Sequence, residues 1–197
     1  PWSAALVGEA VARRFGVPHV IDYRDLISAS HYYPHGNLRR TIDGWMEART
    51  VASASLITAV SAPMRDHLRL SGVPTELVMN GYDPTDFPPI EPIDDCRLRI
   101  AYFGTIYPYK RDPAPLFEAM NLLLRADQSF PIQVDFYGST SPEIANMVRR
   151  FQLEEHVTVH DRVTYQQSLG LQQQADVLLL LLWLHPGESM VLPGKLL

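Results

Sequence analysis

Gly104 and Thr105 close the apolar run 98–103, Lys110 and Arg111 follow, and a helix-forming stretch opens after Pro113. Glycine at a strand end lets the main chain approach a ligand, and helix N-termini carry unpaired N–H groups and partial positive charge. Lys110 and Arg111 add full charges, and a guanidinium can hold two phosphate oxygens at once. Strand, glycine, cations and helix in that order fit a phosphate site, with an ordinary α/β element whose Lys110 and Arg111 are a solvated helix approach as the other reading.

Four other stretches carry candidate chemistry. Residues 157–163 (VTVHDRV) end a strand with His160, Asp161 and Arg162, at the carboxyl edge where open α/β sheets bind ligands. His160 reads there as a hydrogen-bonded loop histidine rather than a catalyst. Asp22, Arg24 and Asp25 end an earlier strand, where Asp22 can orient or deprotonate a hydroxyl or can pair with Arg24. His31 and His35 lie in an aromatic stretch read as a surface loop, with a ligand-facing role as the other option. The last residues, HPGESMVLPGKLL, form a loop whose small residues permit main-chain approach to hydroxyls and phosphate, and Lys195 either reaches phosphate or stays on the surface. The chain has no Asp-x-Asp triplet and no paired cysteines or closely spaced His–carboxylate cluster, so no essential metal is expected. P-loop, dinucleotide-fingerprint and nucleophile-elbow motifs are absent from the sequence, which disfavours those enzyme classes.

The elements that must position these residues alternate. A chain of 197 residues, 46% hydrophobic and 20% charged, can bury one large core or two modest ones. Its net charge of −5 argues against a general binder of nucleic acid or of anionic membranes. Cys96 has no partner for an internal disulfide and is read as inert, in a reducing cytoplasm. The apolar run 177–184 (VLLLLLWL) is far short of the roughly 20 residues of a membrane span and reads as a buried strand. Spacing and punctuation predict a helix over 3–15, a strand over 17–22, a helix over 38–54, a strand over 55–60, a helix from Ser61 to Gly72 and a strand over 75–79. Four prolines between Asp83 and Cys96 exclude a continuous helix there and mark a linker over 85–97. Strands then follow at 98–103, 132–137, 156–160 and 176–182, with helices at 113–126, 142–152 and 165–174. Such alternation implies parallel sheets with right-handed crossovers, here two Rossmann-like sheets facing one another across a cleft. The chain begins with proline and stops inside PGKLL, so both domains are expected to be incomplete in it.

The segments VPHVIDYRDL, SLITAVSAPMRDHL, VMNGYDPTDF, LRIAYFGTIYPYKRDPAPLFEAM, VDFYG, VTVHDRVTYQQSL, ADVLLLL and VLPGKLL stand in the order found in glycosyltransferases of family 4. The chain resembles that family over nearly its whole length. The resemblance implies the GT-B fold: 1–84 as the end of an N-terminal acceptor domain, 85–97 as linker, and 98–197 as most of a nucleotide-sugar donor domain. It places the donor pyrophosphate against Gly104, Thr105, Lys110 and Arg111, with Gly138 beside them, and the base near main-chain groups of Arg162 and Val163. Glu188, Ser189, Met190 and Val191 fall at the sugar end of the donor. Relatives commonly carry two glutamates a fixed distance apart in this region, but here the position matching the first is Met190 and the second would fall past Leu197. Either Glu188 substitutes or the main chain of the loop serves, and the main chain is favoured. Asp22 stands where many relatives carry a histidine near the reactive carbon, so Arg111, Lys110 and Asp22 form the implied catalytic set, with Arg24 and Asp25 on the acceptor side.

The implied activity is retaining, metal-independent transfer of a sugar from a nucleotide diphosphate to a carbohydrate or lipid-linked acceptor in polysaccharide biosynthesis, without a cofactor and without nucleic acid. A nucleotide-sugar epimerase and a non-catalytic scaffold on the same fold are the alternatives. The resemblance implies a cytoplasmic protein, and members often work at the inner membrane face. No basic amphipathic helix announcing peripheral membrane contact is legible in the sequence. Base, sugar, acceptor and oligomeric state stay open.

Overall fold

A computed structural model describes residues 2–89, 93, 95–106, 110–138 and 142–191. Contacts divide the chain into two compact units, one of residues 1–82 with 185–197 and the other of residues 83–184.

The first unit contains α1 (Trp2–Phe15), β1 (Val20–Tyr23), α2 (Asn37–Ala52), β2 (Leu56–Ala59), α3 (Ala62–Arg69) and β3 (Thr75–Leu77). Its strands pair in parallel in the order β1-β2-β3. The first strand starts later than expected because the Val17 N–H donates to the Ala12 carbonyl at the end of α1, 3.1 Å away, and Pro18 has no N–H to give a ladder. Ser61 caps α3 by accepting from the Met64 N–H at 3.3 Å, with proline just inside the helix. Alternate strand residues Ile21, Tyr23, Ile57 and Ala59 face inward and pack with Val51 of α2 and with Met64 and Leu68 of α3. The opposite face carries Val20, Asp22 and Thr58, none of them buried.

The second unit opens with a 3-10 turn (Pro84–Asp86), followed by β4 (Leu98–Phe103), α4 (Ala114–Ala126), β5 (Ile132–Tyr137), α5 (Pro142–Arg150), β6 (Val157–His160), α6 (Tyr165–Gln173) and β7 (Val177–Leu178). The prolines between Asp83 and Cys96 leave that connection without helix or strand beyond the turn among the described residues. All pairings are again parallel, in the order β6-β5-β4-β7. The chain therefore runs outward from β4 through β5 to β6 and returns to the other side of β4. That reversal makes the carboxyl end of β4 the topological switch point of the sheet, the place where open parallel sheets leave a crevice.

One face of this sheet, Ile100 and Tyr102 with Val134, Phe136 and Val157, packs on Phe117 and Met120 of α4 and on Ile144 and Val148 of α5. Tyr102, Phe117 and Phe136 are essentially sealed from solvent, and each such aromatic contributes about 1.5–3 kcal/mol by burial. The Leu-rich run departs from expectation. Only Leu179 and Leu181 of 177–184 pack against the core, whereas Val177, Leu178, Leu182 and Leu184 are exposed. Its ladder is limited to Ile100↔Val177 and Ala101↔Leu178, plus a bond from the Leu179 N–H to the Ala101 carbonyl. Among the described residues β7 pairs only with β4, and its apolar residues lack the cover that those of β4 and β5 have.

Candidate functional site

At the switch point Gly104 has φ +129 and donates its N–H to the Tyr137 carbonyl at 2.9 Å. Gly138, at the end of the neighbouring strand, has φ +100, and a Cβ there would lie 3.4 Å from the Gly104 nitrogen. Two strand ends thus meet backbone to backbone, in a conformation that L side chains rarely adopt. Gly138→Ala should destabilise the second unit by about 1–3 kcal/mol through that strain. Urea denaturation read on second-unit resonances measures this, and an unshifted midpoint would contradict it.

The Thr105 carbonyl next in sequence accepts from the Tyr102 hydroxyl at 3.1 Å and from Arg111 Nη1 at 3.3 Å. The guanidinium is thereby held against the Gly104–Thr105 corner. Lys110 Nζ lies 4.9 Å from the centroid of the Trp183 ring, which follows β7, so the cation sits over an aromatic face at the same end of the sheet. The helix start contributes less than its position suggested. Asp112 Oδ1 accepts from the Ala114 N–H at 2.9 Å, which occupies one of the first amides of α4. Positive charge at this corner comes mainly from the two side chains.

A ladder of rings crosses the same sheet end in strict register. Phe103, Tyr137 and His160 are Cα partners on β4, β5 and β6. Phe103 and Tyr137 stack at 4.8 Å between centroids and 8°, and Tyr137 and His160 at 4.3 Å and 7°. His160 Nε2 lies 2.6 Å from Asp135 Oδ1. The histidine ends a strand and is hydrogen-bonded, as read from sequence, but its partner Asp135 carried no sequence signal. Burial pushes the Tyr137 hydroxyl up, with the Asp135 charge adding to it and Arg99 opposing. Arg162 is exposed and Val163 half-buried on the loop leading to α6.

In the first unit, Asp22 stands on the uncovered sheet face. Its carboxylate accepts from the Thr58 hydroxyl at 2.6 Å and from Arg24 Nε at 2.6 Å, and the Arg24 guanidinium also reaches Asn80. Of the two roles open for Asp22, the pair with Arg24 is formed in this structure. Asp22, Arg24 and Asp25 line a groove of about 550 Å³ that also takes in His19 and Tyr23. Burial pushes the Asp22 carboxyl up, but the Thr58 hydroxyl and the Arg24 guanidinium outweigh it and hold it below its ordinary value. A lowered folded-state pKa contributes stability above the unfolded value and loses it as pH falls through the folded one, here below about pH 4. Thr58→Val should raise the Asp22 pKa, which a carboxyl NMR titration measures. An unchanged titration would contradict the assignment.

Residues 185–191 group with the first unit, whereas the sequence reading joined them to the donor domain. Glu188 is 7% exposed; its carboxylate lies 2.6 Å from His31 Nε2 and accepts from the Tyr32 hydroxyl at 3.0 Å. His31 stacks on His185 at 4.7 Å and 9°. The Ser61 hydroxyl donates to the Met190 carbonyl at 2.9 Å, and the Met190 side chain packs on the first unit's core. The Val191 N–H donates to the Glu188 carbonyl at 3.0 Å, closing the 3-10 turn Pro186–Met190 that includes Ser189. His31 is therefore not on a surface loop: its side chain is 7% exposed. Lys195 lies outside the described residues.

Sequence reasoning missed His31 and Tyr32 as partners of Glu188, Thr58 and Asn80 around Asp22 and Arg24, and Trp183 under Lys110. The spacing of an isolated sequence carries no signal for such pairings. Among the described residues no group of three His, Cys, Asp or Glu is arranged to hold a metal ion.

Residues 1–82 match the family model described as "Glycosyl transferase 4-like domain". No curated protein matches the sequence significantly. Among solved structures, sucrose-phosphate synthase from Thermosynechococcus elongatus aligns with 90% of this chain and 47% of its own, at 17% identity and TM-score 0.61. The lipopolysaccharide outer core galactosyltransferase WaaB in its apo form aligns with 90% of this chain and 47% of its own, at 13% identity and TM-score 0.54. A mutant of S. aureus TarM in complex with Fondaparinux, alpha-GlcNAc-glycerol and UDP aligns with 86% of this chain and 34% of its own, at 13% identity and TM-score 0.50. The chain spans less than half the length of each of these structures. At such identities the likeness is one of fold, the GT-B fold, with a parallel sheet in each unit.

Proposed function

We propose that this chain is part of a glycosyltransferase that moves a sugar from a nucleotide diphosphate to a carbohydrate or lipid-linked acceptor, with retention at the anomeric carbon and without an essential metal. The observation that carries the reading is the switch-point corner of the second unit, where Gly104 and Gly138 clear the main chain and Arg111 is tied to Thr105. The family match of the first unit supports it, as does the likeness in fold to a TarM structure that holds UDP.

Departure of the sugar builds negative charge on the β-phosphate. Arg111 and Lys110 stabilise that charge more as the bond breaks than before, which accelerates the step. Retention follows when the acceptor hydroxyl attacks from the face the diphosphate leaves: oxygen bonds to the anomeric carbon, the carbon–phosphate-oxygen bond breaks, and the hydroxyl proton passes to the departing phosphate oxygen. No side-chain base is then needed, so Asp22, Arg24 and Asp25 serve to orient the acceptor. Main-chain groups near Arg162 and Val163 meet the base. For 188–191 the main chain is the part offered to the sugar, because the Glu188 carboxylate is engaged by His31 and Tyr32.

The test incubates the complete protein with UDP- and GDP-sugars, with and without oligosaccharide and lipid-linked acceptors, in EDTA. Nucleoside diphosphate and glycosylated acceptor with the original anomeric configuration are expected only when acceptor is present. Conversion of the donor to an epimer without acceptor, or no change in any donor, would overturn the reading, and activity only on adding Mg²⁺ or Mn²⁺ would overturn its metal independence.

A further inference from the structure

Helix α2 turns its acids inward. Asp43 and Glu47 are buried, whereas Leu38, Ile42 and Trp45 on the same helix are exposed. Burying carboxylates costs more desolvation than burying the apolar residues left outside, so the arrangement favours geometry over stability. Glu47 holds two separate parts of the first unit with one carboxylate. Its Oε1 accepts from the Tyr23 hydroxyl at 2.9 Å, and its Oε2 accepts from the Ser28 N–H at 3.0 Å and from the Ser28 hydroxyl. Tyr23 ends β1 and lines the groove of Asp22, Arg24 and Asp25. Burial and the Glu47 charge push the Tyr23 hydroxyl far up, so it stays protonated and donating.

Ser28 begins a stretch that the same helix clamps at each end. Arg40 Nε donates to the Ser28 carbonyl at 2.7 Å and Arg40 Nη2 donates to the Ser30 carbonyl, while the guanidinium lies 5.3 Å from the centroid of the Tyr33 ring. The Tyr33 hydroxyl donates to Asp43 at 2.6 Å. Residues 31 and 32 are held between these clamps, and they are the two whose side chains meet Glu188. The fit at that end is close: a Cβ on Gly187 would lie 2.8 Å from His31 Nδ1. Tyr23 and Glu188 are thus connected through one buried carboxylate of α2.

We propose that Glu47 is a positioning residue, which sets the acceptor-side end of β1 and the sugar-facing main chain of residues 188–191 in one register; this rests on the activity proposed above. Transfer needs the acceptor hydroxyl at contact distance from the anomeric carbon, and a misplacement of about 1 Å costs on the order of a hundredfold in rate. Glu47 touches neither substrate. It acts through Tyr23 toward the acceptor and through Ser28, His31 and Tyr32 toward Glu188, while Arg40 and Asp43 keep the intervening stretch from yielding.

The test has two arms on the complete protein. Without ligand, Glu47→Ala should shift the backbone amides of Tyr32, Glu188 and Val191 as well as that of Tyr23, and Glu47→Gln, whose amide still meets Tyr23 and Ser28, should return them toward the parent. With UDP- and GDP-sugars and an oligosaccharide acceptor, Glu47→Ala should lower kcat per folded molecule about a hundredfold, the Kd for UDP or GDP should change by no more than about twofold, and Glu47→Gln should regain most of the loss. Should Glu47→Ala not fold, Tyr23→Phe and Tyr32→Phe each remove one hydroxyl, and their combined loss in kcat should be smaller than the product of the single losses because both cut one connection. Amides of 188–191 that stay in place in Glu47→Ala, normal kcat in its folded fraction, or losses that multiply in the tyrosine pair would overturn the proposal. Displaced amides in a protein that transfers no sugar would support the brace and overturn the proposed activity instead.

Discussion

Arg111→Ala should lower kcat of the sugar transfer proposed for the complete protein by about a hundredfold to a thousandfold, the usual loss when one preorganised partner of a developing negative charge is removed. The fold should survive. The Thr105 carbonyl that Arg111 contacts also accepts from the Tyr102 hydroxyl, so it is not left without a donor. A purely structural role would instead lower the melting temperature and leave turnover of the remaining folded protein near normal. Adding guanidinium to the variant separates the two outcomes: partial recovery of turnover is expected from a lost phosphate contact and none from a lost packing contact. Arg111→Lys should retain more activity than the alanine variant while losing the two-point geometry that only a guanidinium offers. Unchanged kcat in Arg111→Ala would remove this residue from the mechanism.

The second large effect is on stability. Glu188→Ala should destabilise the first unit by about 2–4 kcal/mol, because it removes the buried carboxylate that His31 Nε2 and the Tyr32 hydroxyl contact. Glu188→Gln should cost less, since an amide oxygen still accepts one of the two bonds. With two units, a single unfolding curve is ambiguous. Methyl resonances of Ile57 and Ile144 in urea report the first and second units separately. The midpoint at Ile57 should fall and that at Ile144 should hold. Equal shifts at both would show that the tie does not belong to the first unit alone. In a double variant with His31→Ala, the loss should be smaller than the sum of the singles, because the two side chains act as one pair.

Much of this molecule was legible in the sequence for a physical reason. Parallel α/β units place apolar strands, glycine at strand exits and helix caps at short, regular intervals, so 98–103, Gly104 and the start of α4 could be read locally. The Gly104–Thr105–Arg111 corner belongs to that class, since all its parts lie within a few residues of one strand end. The tie between His31 and Glu188 does not. It joins residues 157 positions apart, and neither carries a periodic or spacing signal that names the other. The strand over 176–182 was read as buried from its leucines, but burial depends on having a neighbour on each side. Among the described residues β7 has only β4.

Helix α2 shows a third kind of limit. A periodic pattern reveals that a helix has two faces, and the usual inference turns the apolar one inward. Here Tyr23, Tyr33 and Ser28 satisfy Asp43 and Glu47 inside, and the apolar stripe is left outside. That choice depends on partners from a strand and a loop that are themselves far from the helix in its own periodicity.

The claim on which the account rests is that the carboxyl end of β4 holds the donor diphosphate. Titration of the ¹⁵N-labelled protein with UDP and with GDP tests it most directly, followed on the backbone amides of Gly104, Thr105 and Gly138 and on the Arg111 Nε–H. One nucleotide should shift all four in a saturable manner and leave the Thr58 and Asp22 amides in place. Saturable binding that moves the residues around Asp22 and leaves Gly104, Thr105, Gly138 and Arg111 unmoved would contradict the account.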